Sequence, residues 1–142
     1  MFTNDFKKVI LNTLCGNTSG SAAYLALSQT MPNVEGGGVT EPVGGGYERA
    51  LLGVTSSSGG TSTRNMGDIT FDPNTGKTTI TNINEIHFKE TTSPWGSLPY
   101  FAIYPSSSGG VPRYVGQLTT TLTPMANNVV IIRVGDIKIT VE

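Results

Sequence analysis

Apolar residues recur every three to four positions only at the start of this chain; over most of the remainder they alternate with polar ones. Phe2, Phe6, Val9, Ile10 and Leu14 fall on one face at helical spacing, while Lys7, Lys8 and Asn12 lie elsewhere. The spacing predicts a helix over residues 3–15. Thr3 or Asn4 caps it, Asp5 sits at its positive end, and Gly16 is its C′ residue. Its apolar face either packs on the protein's own sheet or docks a neighbouring subunit. Both readings stay open at this level.

After Gly16 the period changes. Residues 22–29 read as a buried strand, followed by a glycine-rich connection from Pro32 to Gly46 and a strand from Tyr47 to Val54. Ser56 to Thr63 reads as a Ser/Gly loop. Residues 68–71 and 77–83 form a hairpin around Asp72-Pro73-Asn74-Thr75-Gly76, where proline presets φ and glycine supplies a positive one. Further strands fall at 85–89, at 97–104 (with Pro99 marking an edge or bulge), and at 113–120, 128–134 and 136–141. In the last, Ile137, Ile139 and Val141 face one way and Asp136, Lys138 and Thr140 the other, with Gly135 at the preceding turn.

One helix and eight or nine short strands at this spacing predict a mainly β fold. The expected architecture is an antiparallel, jelly-roll-like β-sandwich. Residues 1–142 read as one domain, with the helix in 1–16 and the strands and glycine-rich loops in 17–142.

Composition sharpens this picture. Only 13% of residues are charged, the net charge is −1, and there are 18 glycines. Disordered chains combine high net charge with few β-branched residues, which is not the pattern here. The nine Lys and Arg are scattered, with only Lys7 and Lys8 adjacent, so no basic footprint for nucleic acid emerges. No apolar run approaches the ~20 residues needed to span a bilayer. Met1 to Asp5 lacks the form of a secretory signal. A near-neutral chain repels itself weakly, which favours assembly.

Candidate chemistry is sparse. The single histidine, His87, lies between Ile86 and Phe88 in a strand, so alternation points it to solvent or an inter-subunit surface. The single cysteine, Cys15, excludes an intramolecular disulfide and reads as a small buried hydrophobe. Asp72 and Asn74 hint at calcium, but the later acidic ligand of a calcium loop is missing. Gly76-Lys77-Thr78 resembles the end of a phosphate loop, yet Phe71 stands where that motif needs glycine and a strand follows where it needs a helix. Catalytic, cofactor-binding and metal-binding residues are therefore expected to be none. Within the glycine-rich segment, Arg49 is expected to pair with Glu41 and hold the loop against the sheet.

The order of motifs resembles a family of tailed-bacteriophage virion proteins, often labelled tail-fibre or minor structural proteins. The matching residues begin with Leu14-Cys15-Gly16, Tyr24-Leu25-Ala26-Leu27-Ser28, Pro32 and Glu41-Pro42-Val43-Gly44-Gly45-Gly46-Tyr47-Glu48-Arg49. They continue through Ile86-His87-Phe88, Trp95-Gly96, Tyr100 to Tyr104, Gly109-Gly110, Gly116-Gln117-Leu118 and Gly135-Asp136-Ile137-Lys138-Ile139. Residues 56–84 are longer and richer in Thr and Asn than the family form, and Phe88-Lys89 replaces its Phe-Pro.

The resemblance implies a virion structural protein without an active site, assembled in the host bacterial cytoplasm. Its implied partners are copies of itself, a trimer among the options, and other virion proteins such as the major capsid, portal, collar or tail proteins. No cofactor, nucleic acid or membrane is implied. The alternative is a host-surface glycan adhesin, with Trp95, Tyr100 and Tyr47 as its stacking platform; the competing reading of Trp95-Gly96 is a packed corner of the sandwich.

Overall fold

The computed structural model describes residues 2–60 and 62–142. Met1, in the segment tested for a secretory signal, and Thr61, in the expected Ser/Gly loop, lie outside the described residues. Helix α1 spans Asn4–Leu14. The Thr3 hydroxyl accepts from the Phe6 amide at 3.3 Å, satisfying one of the free N–H groups of the first turn. Asp5 lies in that turn, and Gly16 follows Cys15 with φ of +76°.

The face that α1 buries differs from the expected one. Lys7, Leu11 and Cys15 point inward, whereas Phe2, Phe6 and Val9 are each about half exposed. Lys7 tolerates this position because its stem is apolar and its ammonium group donates to the Gly76 carbonyl at 2.7 Å. The i, i+4, i+8 spacing of residues 7, 11 and 15 makes one continuous stripe once lysine is counted by its stem.

Among the described residues ten strands follow: β1 Ala22–Ser28, β2 Ala50–Val54, β3 Thr63–Arg64, β4 Met66–Phe71, β5 Thr78–Asn82, β6 Ile86–His87, β7 Leu98–Tyr104, β8 Tyr114–Leu122, β9 Ile131–Ile132 and β10 Lys138–Val141. They form sheets in the orders β3-β2-β1-β7-β8, β10-β5-β4 and β6-β9. Every pairing is antiparallel. The result is the expected mainly β sandwich with one N-terminal helix. Strand β3 is the addition, at the end of the expected Ser/Gly loop. The strand expected from Tyr47 starts only at Ala50, because the Tyr47 and Arg49 side chains anchor the preceding loop. Pro99 marks a bulge, with the register shifting between Leu98 and Tyr100, but β7 is an interior strand.

The core lies between the sheets and under α1. Leu25, Leu27 and Leu52 from the large sheet meet Met66, Ile80 and Ile139 from the second, Ile86 and Ile132 from the third, and Leu11 and Cys15 from the helix. As the alternation predicts, Ile137 and Ile139 are fully buried and Lys138 is exposed. Strand β1 is buried on both faces from Leu25 onward. Ala26 packs with Ala102 and Tyr104 on the outer side, where Val39 of the glycine-rich connection covers them.

Candidate functional site

The glycine-rich connection is tied down at its middle and at its far end. Midway along it, the Thr40 amide donates to the Ser28 hydroxyl at 3.0 Å and the Gln29 amide to the Thr40 carbonyl at 2.9 Å. At its far end Gly45 and Gly46 take φ of +62° and +77° and pass close to Ser93 and Glu90, where a side chain would collide. The Trp95 indole N–H donates to the Gly45 carbonyl at 2.9 Å.

The expected Glu41–Arg49 pair joins the middle of the connection to the residues just past its far end. Nε donates to Oε1 and Nη2 to Oε2, both at 3.0 Å. Arg49 Nη1 also donates to the carbonyls of Ser106 and Gly109, at 3.0 and 2.8 Å. Its guanidinium lies 3.5 Å from the centroid of the Tyr104 ring. The Tyr47 hydroxyl donates to Glu41 Oε1 at 2.7 Å and accepts from the Leu27 amide at 3.1 Å. Burial, followed by the hydrogen bond to Glu41, pushes the Tyr47 phenol well above its usual range. Sequence reasoning missed Tyr104, Ser106 and Gly109, which reach Arg49 from more than 50 residues away and carry no local signal.

The aromatic platform does not form as a surface. The Trp95 side chain is 3% exposed. Its ring makes edge contacts with Tyr47 at 5.2 Å and Phe88 at 6.2 Å between centroids. It is the packed corner of the sandwich.

The other conspicuous residues fall as follows. His87 is exposed between buried Ile86 and Phe88, with its Nε2 3.5 Å from Glu85 Oε1. Cys15 is fully buried, and burial pushes its thiol up to about 12, so it is a packing residue. Asp72 accepts from the Asn74 amide at 2.9 Å; that bond, then the Thr75 hydroxyl, holds its carboxyl below the usual range. Thr78 opens β5, so no helix follows Gly76-Lys77-Thr78. Lys77 instead reaches Glu142 at 3.4 Å. Among the described residues no three His, Cys, Asp or Glu side chains gather as a metal site, and no helix is long and apolar enough to cross a membrane.

The remaining distinctive surface is apolar. The Phe2 and Phe6 rings lie 5.5 Å apart on the outside of α1. A groove beside them is lined by Phe6, Val9, Ile10 and Leu14 of the helix and by Arg113, Tyr114 and Val141.

Comparison with known proteins gives a match over nearly the whole chain. The model of the family described as Podophage GP4 fiber I protein gp80 covers residues 1–140. No curated protein matches the chain.

Proposed function

The chain belongs to the Podophage GP4 fiber I protein gp80 family and is a phage virion structural protein; from this premise we propose that it works as a non-enzymatic fibre subunit, a single domain that binds copies of itself and at least one other virion protein. The match over residues 1–140 carries this reading. The internal chemistry supports it. Arg49, Glu41 and Tyr47 spend their polar groups on one another and on backbone carbonyls, shaping a loop end. Half-exposed Phe2, Phe6 and Val9 leave an apolar surface suited to burial in an assembly. Partner sites on the major capsid, portal, collar or tail proteins are the remaining contacts in this reading, with assembly in the host cytoplasm.

The test is to purify infectious particles, identify the chain by mass spectrometry, and locate it by electron microscopy with a specific antibody label. Stoichiometric recovery in the particle and label on a projecting fibre are expected. Absence from purified particles would remove the proposal. Measured turnover of cell-wall or capsule polysaccharide by the pure chain would remove its non-enzymatic part.

A further inference from the structure

We infer that the exposed stripe Phe2, Phe6, Val9 and Thr13 is where this chain binds further copies of itself, with the α1 helices parallel around a common axis. The inference rests on the virion-structural reading and names the partner of one of its surfaces. Phe6, Val9 and Thr13 follow steps of three and four, the 3.5-residue repeat by which one helix seats against another, and the Phe2 ring, just ahead of the N-cap, extends the stripe by lying 5.5 Å from that of Phe6. They stand opposite Lys7, Leu11 and Cys15, which already pack on the protein's own core. The helix therefore has two faces, one used within the chain and one left for a neighbour. Phe6 and Val9 remain about half exposed in a helix that is otherwise well seated and capped.

The charges bordering the stripe indicate the orientation. Helical geometry puts Asp5 on one border, with Lys8 about 60° further round toward the body. Ile10 and Leu14 lie on the other border, where the groove they share with Tyr114 and Val141 carries exposed Arg113. Neither Asp5 nor Arg113 has an ion-pair partner among the described residues. In a parallel, cyclic arrangement the Asp5 border of one copy meets the Arg113 border of the next. An antiparallel pair would bring like borders together and leave Asp5 and Arg113 on separate sides of the contact. The open groove gives the neighbouring stripe apolar surface beyond the helix itself, which a stable contact of roughly 800 Å² per partner requires.

The experiment is sedimentation equilibrium of the full chain with three sets of variants. Wild type is expected to form a discrete oligomer below about 100 μM. Val9→Glu should weaken association by at least about 30-fold, since it buries an unpaired carboxylate, with an unchanged circular dichroism spectrum. Asp5→Arg should weaken it about two- to fivefold, and adding Arg113→Asp should restore it. Under mild oxidation Val9→Cys should cross-link between copies while Thr75→Cys, on the hairpin that meets the opposite, Lys7 face of α1, should not; buried Cys15 stays silent. A monomeric wild type, a Val9→Glu chain that associates like wild type, or equal cross-linking at both positions would overturn the inference. Particle composition separates this from the broader reading. A chain present in virions whose Val9→Glu form still associates sinks only the stripe, whereas absence from virions sinks the structural role and leaves the solution result to stand alone.

Discussion

Arg49 and Glu41 meet through two hydrogen bonds of equal length, 3.0 Å, in the fork geometry that only arginine offers a carboxylate. The Arg49 side chain is 5% exposed and that of Glu41 25%, so solvent screens the pair weakly. Arg49 also closes the loop at Ser106–Gly109 onto the glycine-rich segment. Two distant stretches of chain are thereby locked by one side chain.

Removing Arg49 should therefore cost more than a surface ion pair. Arg49→Ala leaves Glu41 and two carbonyls short of donors and is expected to lose about 3–5 kcal/mol. Arg49→Lys, which keeps charge but loses the fork, should lose about 1–2 kcal/mol. Urea unfolding of the three proteins checks both the direction and the order.

Gly53 faces the Cys15 carbonyl so closely that a Cβ there would overlap it, and a Cβ on Gly16 would in turn overlap the Gly53 carbonyl. This backbone contact seats the end of α1 on β2. Gly53→Ala should destabilise the protein by about 2–4 kcal/mol through forced backbone displacement. Gly59→Ala is the informative control. A Cβ there meets no atom among the described residues, so its cost should come from its positive φ, about 1 kcal/mol. Thermal unfolding of both variants checks the contrast.

Lys7 separates stem from charge. Lys7→Met keeps the apolar stem and gives up one bond to the Gly76 carbonyl, so its stability should stay within about 1 kcal/mol of wild type. Lys7→Ala loses the packing as well and should cost about 2 kcal/mol. Chemical unfolding distinguishes them.

Trp95 tests whether its ring is structural. Trp95→Ala should lose about 3–5 kcal/mol, as expected for a large ring removed from the core. Trp95→Phe keeps most of the packing and loses the bond to the Gly45 carbonyl, about 1 kcal/mol. Intrinsic fluorescence of wild type should show a blue-shifted, quencher-protected indole, and a solvent-exposed spectrum would contradict the burial.

Alkali should weaken the fold through Cys15 and Tyr47. Both groups hold their protons more tightly when folded than when unfolded. Their stabilising effect is intact below the unfolded values, 9.0 for the thiol and 10.0 for the phenol, and is lost as pH rises through each folded value, about 12 for Cys15. Each group adds a slope of up to about 1.4 kcal/mol per pH unit in that window. Cys15→Ala should show a flatter loss of unfolding free energy above about pH 9, measured against its own neutral-pH value.

The alternation of apolar residues was enough to place most of the strands and to orient His87 and Ile137 to Val141, because a strand's two faces follow directly from its covalent geometry. Capping chemistry located α1 to within one residue at each end, and the Glu41–Arg49 pair was legible because its partners lie on one short loop. The burial of Lys7 and exposure of Phe2, Phe6 and Val9 were not legible. A helix with two apolar flanks packs by whichever flank meets the sheet, and that is decided by where Cys15 and Gly53 touch. The recruitment of Tyr104, Ser106 and Gly109 to Arg49 likewise follows from strand order, and for Trp95, which the sequence offered as a packed corner or a sugar platform, the tertiary packing selected the corner. Local sequence sets which faces exist, and the crossing of distant strands selects which of them are buried.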